Sequence, residues 1–239
     1  MKILEEKRVV IIGGTSGIGL ATARLASKMG ARLVITGLNE KHMANAKNEF
    51  KSNADIFSLD ISNELSVKKF FDQVGDLDYL TTPGSVIPKG PFLTMETAIA
   101  REGFDSKFWG QYNAAKYAAP HIRKGGAIVF FSGFVSKKPQ KNLSVMSTVN
   151  CAVEGLGRAL AIELAPIRVN VISPGIIDTP RYATMSSVDR EAMFEQLTNK
   201  LPVGHVGKPE EVAEGVLFLM TNTFITGQTL FIEGGHLLN

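Results

Sequence analysis

Residues 9–19 read Val9-Val10-Ile11-Ile12-Gly13-Gly14-Thr15-Ser16-Gly17-Ile18-Gly19. Four consecutive β-branched residues make a short, continuous apolar run, the pattern of a strand buried on both faces. Glycines follow at once. From Gly17 to Met29, small and apolar residues then return with the spacing of one helix face. Gly13 lets the chain turn tightly off the strand, Gly17 lets backbone approach a phosphate, and Gly19 lets the helix lie close to the sheet. The helix N-terminus adds free N–H groups and partial positive charge suited to a pyrophosphate. Glycines also serve plain turns, but the position between a first strand and a first helix favours a nucleotide loop.

Beyond this unit, apolar runs and helical patterns keep alternating. Strands are expected at Arg32–Thr36, Ile56–Leu59, Leu77–Leu80, Ala127–Phe131, Ile167–Ile172 and Thr229–Ile232. Helices are expected over 39–51, from the capping Asn63 to Val74, over 101–123 with Gly125-Gly126 as the stop, over 144–164 ended by Pro166, and near 188–199 and 209–220. Residues 173–187 have no clear period and read as a loop. Uniformly apolar strands separated by helices imply a parallel sheet covered on both faces. The expected fold is α/β: one doubly wound, Rossmann-type sheet of about seven strands with residues 1–239 as a single nucleotide-binding domain.

Lys plus Arg number 26 against 23 Asp plus Glu, a net charge of +3. That excess is too small to point to nucleic acid or an anionic membrane. One cysteine, Cys151, excludes an internal disulfide, and four scattered histidines lack metal-ligand spacing, so no metal is expected. No run approaches the roughly 18 apolar residues of a membrane span, and the N-terminus lacks a signal-peptide pattern. A soluble cytoplasmic protein acting on a small molecule is the expectation. Cys151 has small, apolar helix neighbours and is expected to be buried. Leu217, Phe218 and Leu219 read as core, and His205 as a surface residue.

The glycine spacing, with three residues and then one between glycines, resembles that of the short-chain dehydrogenase/reductase family, and the resemblance extends over almost the whole chain. Leu59-Asp60-Ile61 is similar to the family's adenine-binding segment. Asn170-Val171-Ile172-Ser173-Pro174-Gly175, with Ile177 and Thr179 following, resembles the segment that meets the nicotinamide. Gly207-Lys208-Pro209-Glu210-Glu211-Val212-Ala213, Thr226-Gly227-Gln228 and Glu233-Gly234-Gly235 match the C-terminal pattern. The resemblance implies an NAD(P)-dependent oxidoreductase and a homo-oligomer, a tetramer or dimer. It places the cofactor on Gly13, Thr15, Ser16, Gly17, Ile18, Gly19, Asn39, Asp60, Ile61, Gly84, Asn150, Pro174, Gly175, Ile177 and Thr179. No acidic residue follows the second strand in Thr36-Gly37-Leu38-Asn39. An acid there would hold the 2′-hydroxyl of NAD and repel the 2′-phosphate of NADP, so NADP is expected, with NAD as the alternative; Ser16, Asn39 and Lys41 are the candidate phosphate contacts.

The family works through an Asn-Ser-Tyr-Lys tetrad, in which the tyrosine protonates the alkoxide with help from the lysine. The resemblance aligns Lys107, Gly133, Met146 and Asn150 with those positions, and the usual Asn-Asn-Ala-Gly loop reads Thr81-Thr82-Pro83-Gly84. Met146 has no acidic proton. Lys107 faces the cleft floor in the family, where an apolar wall lowers a lysine pKa; its stem could equally carry the ammonium to solvent. Lys107 and Ser132 are the catalytic candidates; Ser132 could instead satisfy backbone at its strand end. Lesser candidates are Ser136, Ser147 and Tyr182. The first expectation is an NADP-linked oxidoreductase with a non-standard proton donor, acting on a small carbonyl or activated alkene. The second is a cofactor-binding homologue without catalysis, a sensor, scaffold or partner subunit. The third is lyase or isomerase chemistry at Lys107.

Overall fold

A computed structural model describes residues 3–238. Its strands are β1 (Arg8–Ile12), β2 (Arg32–Gly37), β3 (Ala54–Ser58), β4 (Leu77–Thr81), β5 (Ile122–Phe131), β6 (Arg168–Pro174) and β7 (Thr229–Ile232). They form one seven-stranded sheet in the order β3-β2-β1-β4-β5-β6-β7, and every neighbouring pair is parallel. Helices α1 (Gly17–Lys28), α2 (Glu40–Phe50), α3 (Glu64–Val74), α4 (Thr97–Phe104), α5 (Gly110–Ala118), α6 (Ser144–Glu163), α7 (Ser187–Lys200) and α8 (Pro209–Thr221) lie between and after them.

The continuous apolar strands follow from this layering. Successive strand residues point to opposite faces, so a sheet covered on both sides needs apolar residues at every position. Val9, Ile11, Leu33, Ile35, Val129 and Phe131 pack on one face with Ala23 and Ala26 of α1 and Val212 and Val216 of α8. Val10, Ile12, Val34, Ile128 and Phe130 pack on the other face with Phe70 and Phe71 of α3, Ala114 and Ala115 of α5, and Val153 of α6.

Several sequence signals act structurally. Asn63 caps α3 by accepting from Ser66 N at 3.0 Å. Thr226 Oγ1 accepts from Val169 N at 3.1 Å, and Gln228 N donates to Asn170 Oδ1 at 3.1 Å, which sets β7 beside β6. The Arg168 guanidinium donates to the carbonyls of Leu219 and Met220, closing the C-terminal end of α8.

Four expectations are corrected. The helix read over 101–123 begins at Thr97, passes through a π-turn at Asp105–Trp109 and ends its α-helical part at Ala118. Pro120, which has no N–H, lies in the closing 3₁₀ turn. Gly125-Gly126 lies inside β5 rather than ending a helix: a Cβ on Gly126 would come within 2.3 Å of Asp78 O, so this glycine admits the neighbouring strand. Cys151 is exposed, because α6 buries Met146, Val149, Asn150, Val153, Glu154 and Gly157, a stripe that bypasses it. Phe218 is 47% exposed while Leu217 and Leu219 are buried.

Between β1 and β4 the sheet order reverses, and the loops that follow these two strands start side by side, with Gly84 N donating to Ile12 O at 3.1 Å, at the crevice on the carboxyl edge. That crevice is where an open α/β sheet takes its ligand.

Candidate active site

The glycine loop lines the crevice. Gly13 N and Gly14 N donate to Thr36 O at 3.1 and 3.0 Å, fixing the turn to β2. Gly13 has φ +85°, and a Cβ there would lie 2.4 Å from Gly84 Cα. The loops after β1 and β4 therefore touch backbone to backbone. A Cβ on Gly19 would lie 2.1 Å from Gly13 O, so α1 can start this close to the strand only from a glycine. Ser16 precedes α1 with no side-chain cap, and the first helical turn holds no acidic residue. Its N–H groups and positive dipole end are left for an external anion.

The other proposed cofactor positions lie along the same edge. Thr15 is buried and packs over Gly37, where a Cβ would come within 2.4 Å of Thr15 Oγ1. Ile18 packs partly into the core. Asn39 is the α2 cap, accepting from His42 N at 2.9 Å. Lys41 is exposed in the first turn of that helix. Asp60 is held at the end of β3 by Ser62 N at 2.9 Å and Ser62 Oγ at 2.6 Å, and Ile61 packs beneath Gly110. Pro174 ends β6, Gly175 packs on Glu233, and Ile177 bridges to Gly207. Thr179 covers Gly17, where a Cβ would lie 3.4 Å from the threonine side chain. The Gly17–Thr179 contact joins the first loop to the segment after β6.

The π-turn carries Lys107 into the interior. Its side chain is buried, with 7% exposure, and Nζ donates to Ser132 O at 2.7 Å. Desolvation, with a smaller contribution from the charge of Arg181, lowers its pKa from the usual lysine value to about 7. Gln111 braces this region: Nε2 donates to Lys107 O and Phe131 O, each at 3.0 Å, and Oε1 accepts from Thr82 Oγ1 at 2.6 Å and Phe131 N at 2.7 Å. Ile87, Phe134, Val135 and Met146 form a separate apolar cluster apart from the two that cover the sheet.

The other catalytic candidate, Ser132, follows β5 and is buried, with 4% exposure. Its hydroxyl donates to Glu154 Oε1 at 2.8 Å and approaches Asn150 O at 3.2 Å, so it faces α6. Glu154 is buried and pairs through Oε2 with Lys137 Nζ at 3.3 Å. Ser147 Oγ donates to Val135 O at 2.5 Å, and its proton is likewise committed. Asn150 is 1% exposed, and its Oδ1 has no hydrogen-bond partner among the described residues. Tyr182 packs edge-to-face on Phe194 with ring centroids 5.6 Å apart, and burial raises its pKa. His205 is a surface group near Glu211.

Lys89, Arg181, Gln111 and Glu154 were not singled out by the sequence. Gln111 and Glu154 had a readable signal, a polar residue on a helix stripe otherwise facing the core. Lys89 and Arg181 lie in aperiodic loops, and only the fold brings the charge of Arg181 to bear on both Lys89 and Lys107.

A family described as Enoyl-(Acyl carrier protein) reductase matches residues 13–236. The chain is 32% identical to cis-4-hydroxycyclohexanecarboxylate dehydrogenase of Sinomonas cyclohexanicum, across 97% of this chain and 96% of that one. It is 29% identical to the human 3-oxoacyl-[acyl-carrier-protein] reductase, across 96% and 98%. A small-chain dehydrogenase crystallised with NADPH superposes with a TM-score of 0.86 at 36% identity, covering 98% of this chain and all of the other. A seven-stranded doubly wound sheet, a glycine cradle at its reversal point and matches along nearly the full chain together show that this protein belongs to the short-chain dehydrogenase/reductase family of oxidoreductases.

Proposed function

We propose that the protein is an NADP(H)-linked oxidoreductase of a small carbonyl or activated alkene, one that works without the tyrosine-centred tetrad and uses Lys107 as its proton donor. The observation that carries this reading is a buried lysine at the crevice with a pKa lowered to about 7. A proton donor works best when its pKa lies near the operating pH, and this one is supplied at the position aligned with the tetrad asparagine.

A nicotinamide dinucleotide fits the residues present. The uncapped α1 N-terminus and the Gly13–Gly19 backbone suit its pyrophosphate. The orphaned Oδ1 of Asn150 suits a ribose hydroxyl, Asp60 with Ile61 suits the adenine, and Thr179 over Gly17 closes the cradle. The absence of an acid after β2 favours the 2′-phosphate, and the related small-chain dehydrogenase was crystallised with NADPH. When bound, such a cofactor supplies or accepts a hydride.

The chain's own groups do the rest. Lys107 spends one N–H on Ser132 O and keeps its others for the substrate oxygen. Its ammonium stabilises negative charge developing on that oxygen and passes it a proton. Gln111 holds the Lys107 and Phe131 carbonyls, so the lysine stands on a fixed base. Ile87, Phe134 and Met146 exclude water and keep the site's dielectric low. The two relatives are named for an alcohol and a 3-oxo substrate, which accords with carbonyl–alcohol exchange. Stopped-flow oxidation of NADPH across a carbonyl and enone panel tests the assignment; absence of turnover with every compound, despite measured NADPH binding, refutes it.

Met146 has no proton to donate, and the Ser132 and Ser147 protons are committed to α6 and Val135. These observations favour one second reading, a cofactor-binding partner of an active relative. Robust turnover by the isolated protein eliminates it. We further infer a homo-oligomer of one-domain subunits, supported by the outward-facing Trp109 and Tyr112, whose rings stack edge-to-face 5.5 Å apart. Light scattering of a monomer at micromolar concentration would oppose this.

A further inference from the structure

Three basic side chains converge on the cleft without a carboxylate to neutralise them. Lys107 rises from the π-turn into the interior and touches a carbonyl. The loop after β4 is pinned to the same helix: Val86 N donates to Ser106 Oγ at 3.0 Å, and a Cβ on Gly103 would lie 2.8 Å from Pro88 Cδ. That packing holds the loop that carries Lys89 against the helix that leads into the Lys107 π-turn. Arg181 enters from the loop after β6, and its charge disfavours the protonated forms of both Lys89 and Lys107. The nearby acid of that loop, Asp178, is taken by Arg190. Among the described residues, no carboxylate lies within ion-pair distance of Lys89, Lys107 or Arg181. Ile87, two residues before Lys89 in the same loop, packs with Phe134 and Met146 in an apolar cluster.

Like charges gathered around a partly desolvated cleft repel one another, and a bound anion relieves the repulsion. We propose that the substrate is an apolar compound bearing an anionic group, a carboxylate or phosphate, which Lys89 and Arg181 hold at the rim above Lys107 while its apolar body lies against Ile87, Phe134 and Met146. This rests on reading the cleft as the substrate site of an oxidoreductase, and it specifies that substrate's chemical class. Lys107 remains protonated when such an anion is seated, which keeps it competent to donate.

The test is calorimetric titration of three probes, 3-phenylpropanoate, phenyl phosphate and the neutral 3-phenylpropanamide, into the protein with and without saturating NADPH in low-salt buffer. At least one anion is expected to bind tenfold or more tighter than the amide. The Lys89→Gln/Arg181→Gln double variant is expected to reduce that preference to threefold or less; both side chains are on exposed loops, so the fold is retained. Preference for phenylpropanoate assigns a carboxylate, and preference for phenyl phosphate a phosphate. Equal affinities, including no binding by any probe, overturn the proposal, as does a preference that survives the double substitution. Titration of NADPH into the same samples distinguishes this failure from failure of the oxidoreductase assignment. A dead cofactor site leaves the anion preference measurable, and a live one with no anion preference refutes only the substrate class.

Discussion

Replacing Lys107 by Met isolates what burial of this ammonium costs. In the unfolded chain a lysine titrates near 10.4; in the folded protein Lys107 titrates at about 7. Below pH 7 both states carry the proton, and the folded state bears the full penalty. Between about 7 and 10.4 the unfolded chain binds a proton that the folded protein has released, so stability rises with pH by about 1.4 kcal/mol per unit. From pH 6 to pH 9 the gain comes to about 3 kcal/mol. Methionine has nearly the same length, carries no charge and suits a buried site. Urea unfolding of both proteins at pH 6 and pH 9 reads the effect as a double difference, in which groups common to the two cancel. The variant is expected to be the more stable protein at pH 6, and wild type is expected to recover about 3 kcal/mol relative to it by pH 9. A stability difference independent of pH would show that Lys107 keeps its ordinary pKa and reaches water, and the proton-donor assignment would fall with it.

For carbonyl reduction, kcat/KM reports the free enzyme and is expected to decline as pH rises through about 7, the Lys107 value; a profile flat from pH 6 to 8.5 would count against the lysine. Gly19→Ala forces a Cβ to within 2.1 Å of Gly13 O. A stability loss of about 1–3 kcal/mol in urea and at least tenfold weaker NADPH binding are expected, and unchanged values would dissolve the cradle. Glu154→Ala removes the shorter partner of the buried Ser132 hydroxyl, which still reaches Asn150 O, and frees Lys137, with an expected cost of about 1 kcal/mol; NADPH affinity should be retained. Gly133→Ser places a Cβ 2.9 Å from Asn150 Nδ2. Alone it is expected to cost about 1–3 kcal/mol, and combination with Asn150→Ala should recover part of that, which a double-mutant cycle of urea midpoints would reveal.

The fold was legible because its signals are local. Val9–Ile12 can be uniformly apolar only where both sheet faces are covered, and Asn63 announces α3 through its own side chain. Gly13 and Gly19 were readable for the same reason, since each lacks a Cβ where backbone passes. What escaped notice depends on helical phase or on distant packing. Cys151 falls outside the buried stripe of α6 by one position, a difference that neighbour composition does not register. Gly125-Gly126 reads as a stop until Asp78 O is seen against it. Lys89 and Arg181 are ordinary loop cations in the sequence; they become part of a site only because β4 and β6 deliver their loops to one edge.

The residues aligned with the tetrad fit one another as a set. Asn150 extends its amide into the space above Gly133 that a serine side chain would occupy, so glycine at one position and asparagine at the other are complementary. Met146 joins Ile87, Phe134 and Val135 in an apolar cluster that a tyrosine hydroxyl would have to enter. Burial, with the charge of Arg181, lowers the Lys107 pKa to about 7. A site drifting after loss of function has no reason to bury a lysine, because the desolvation cost persists with nothing to offset it. A site that meets an anion does: under the proposed function, the substrate's charge offsets that cost and steadies the protonated lysine. Under the proposed function, the residues at the tetrad-aligned positions and the buried Lys107 belong to one arrangement, in which the proposed proton donor stands on the π-turn instead of α6.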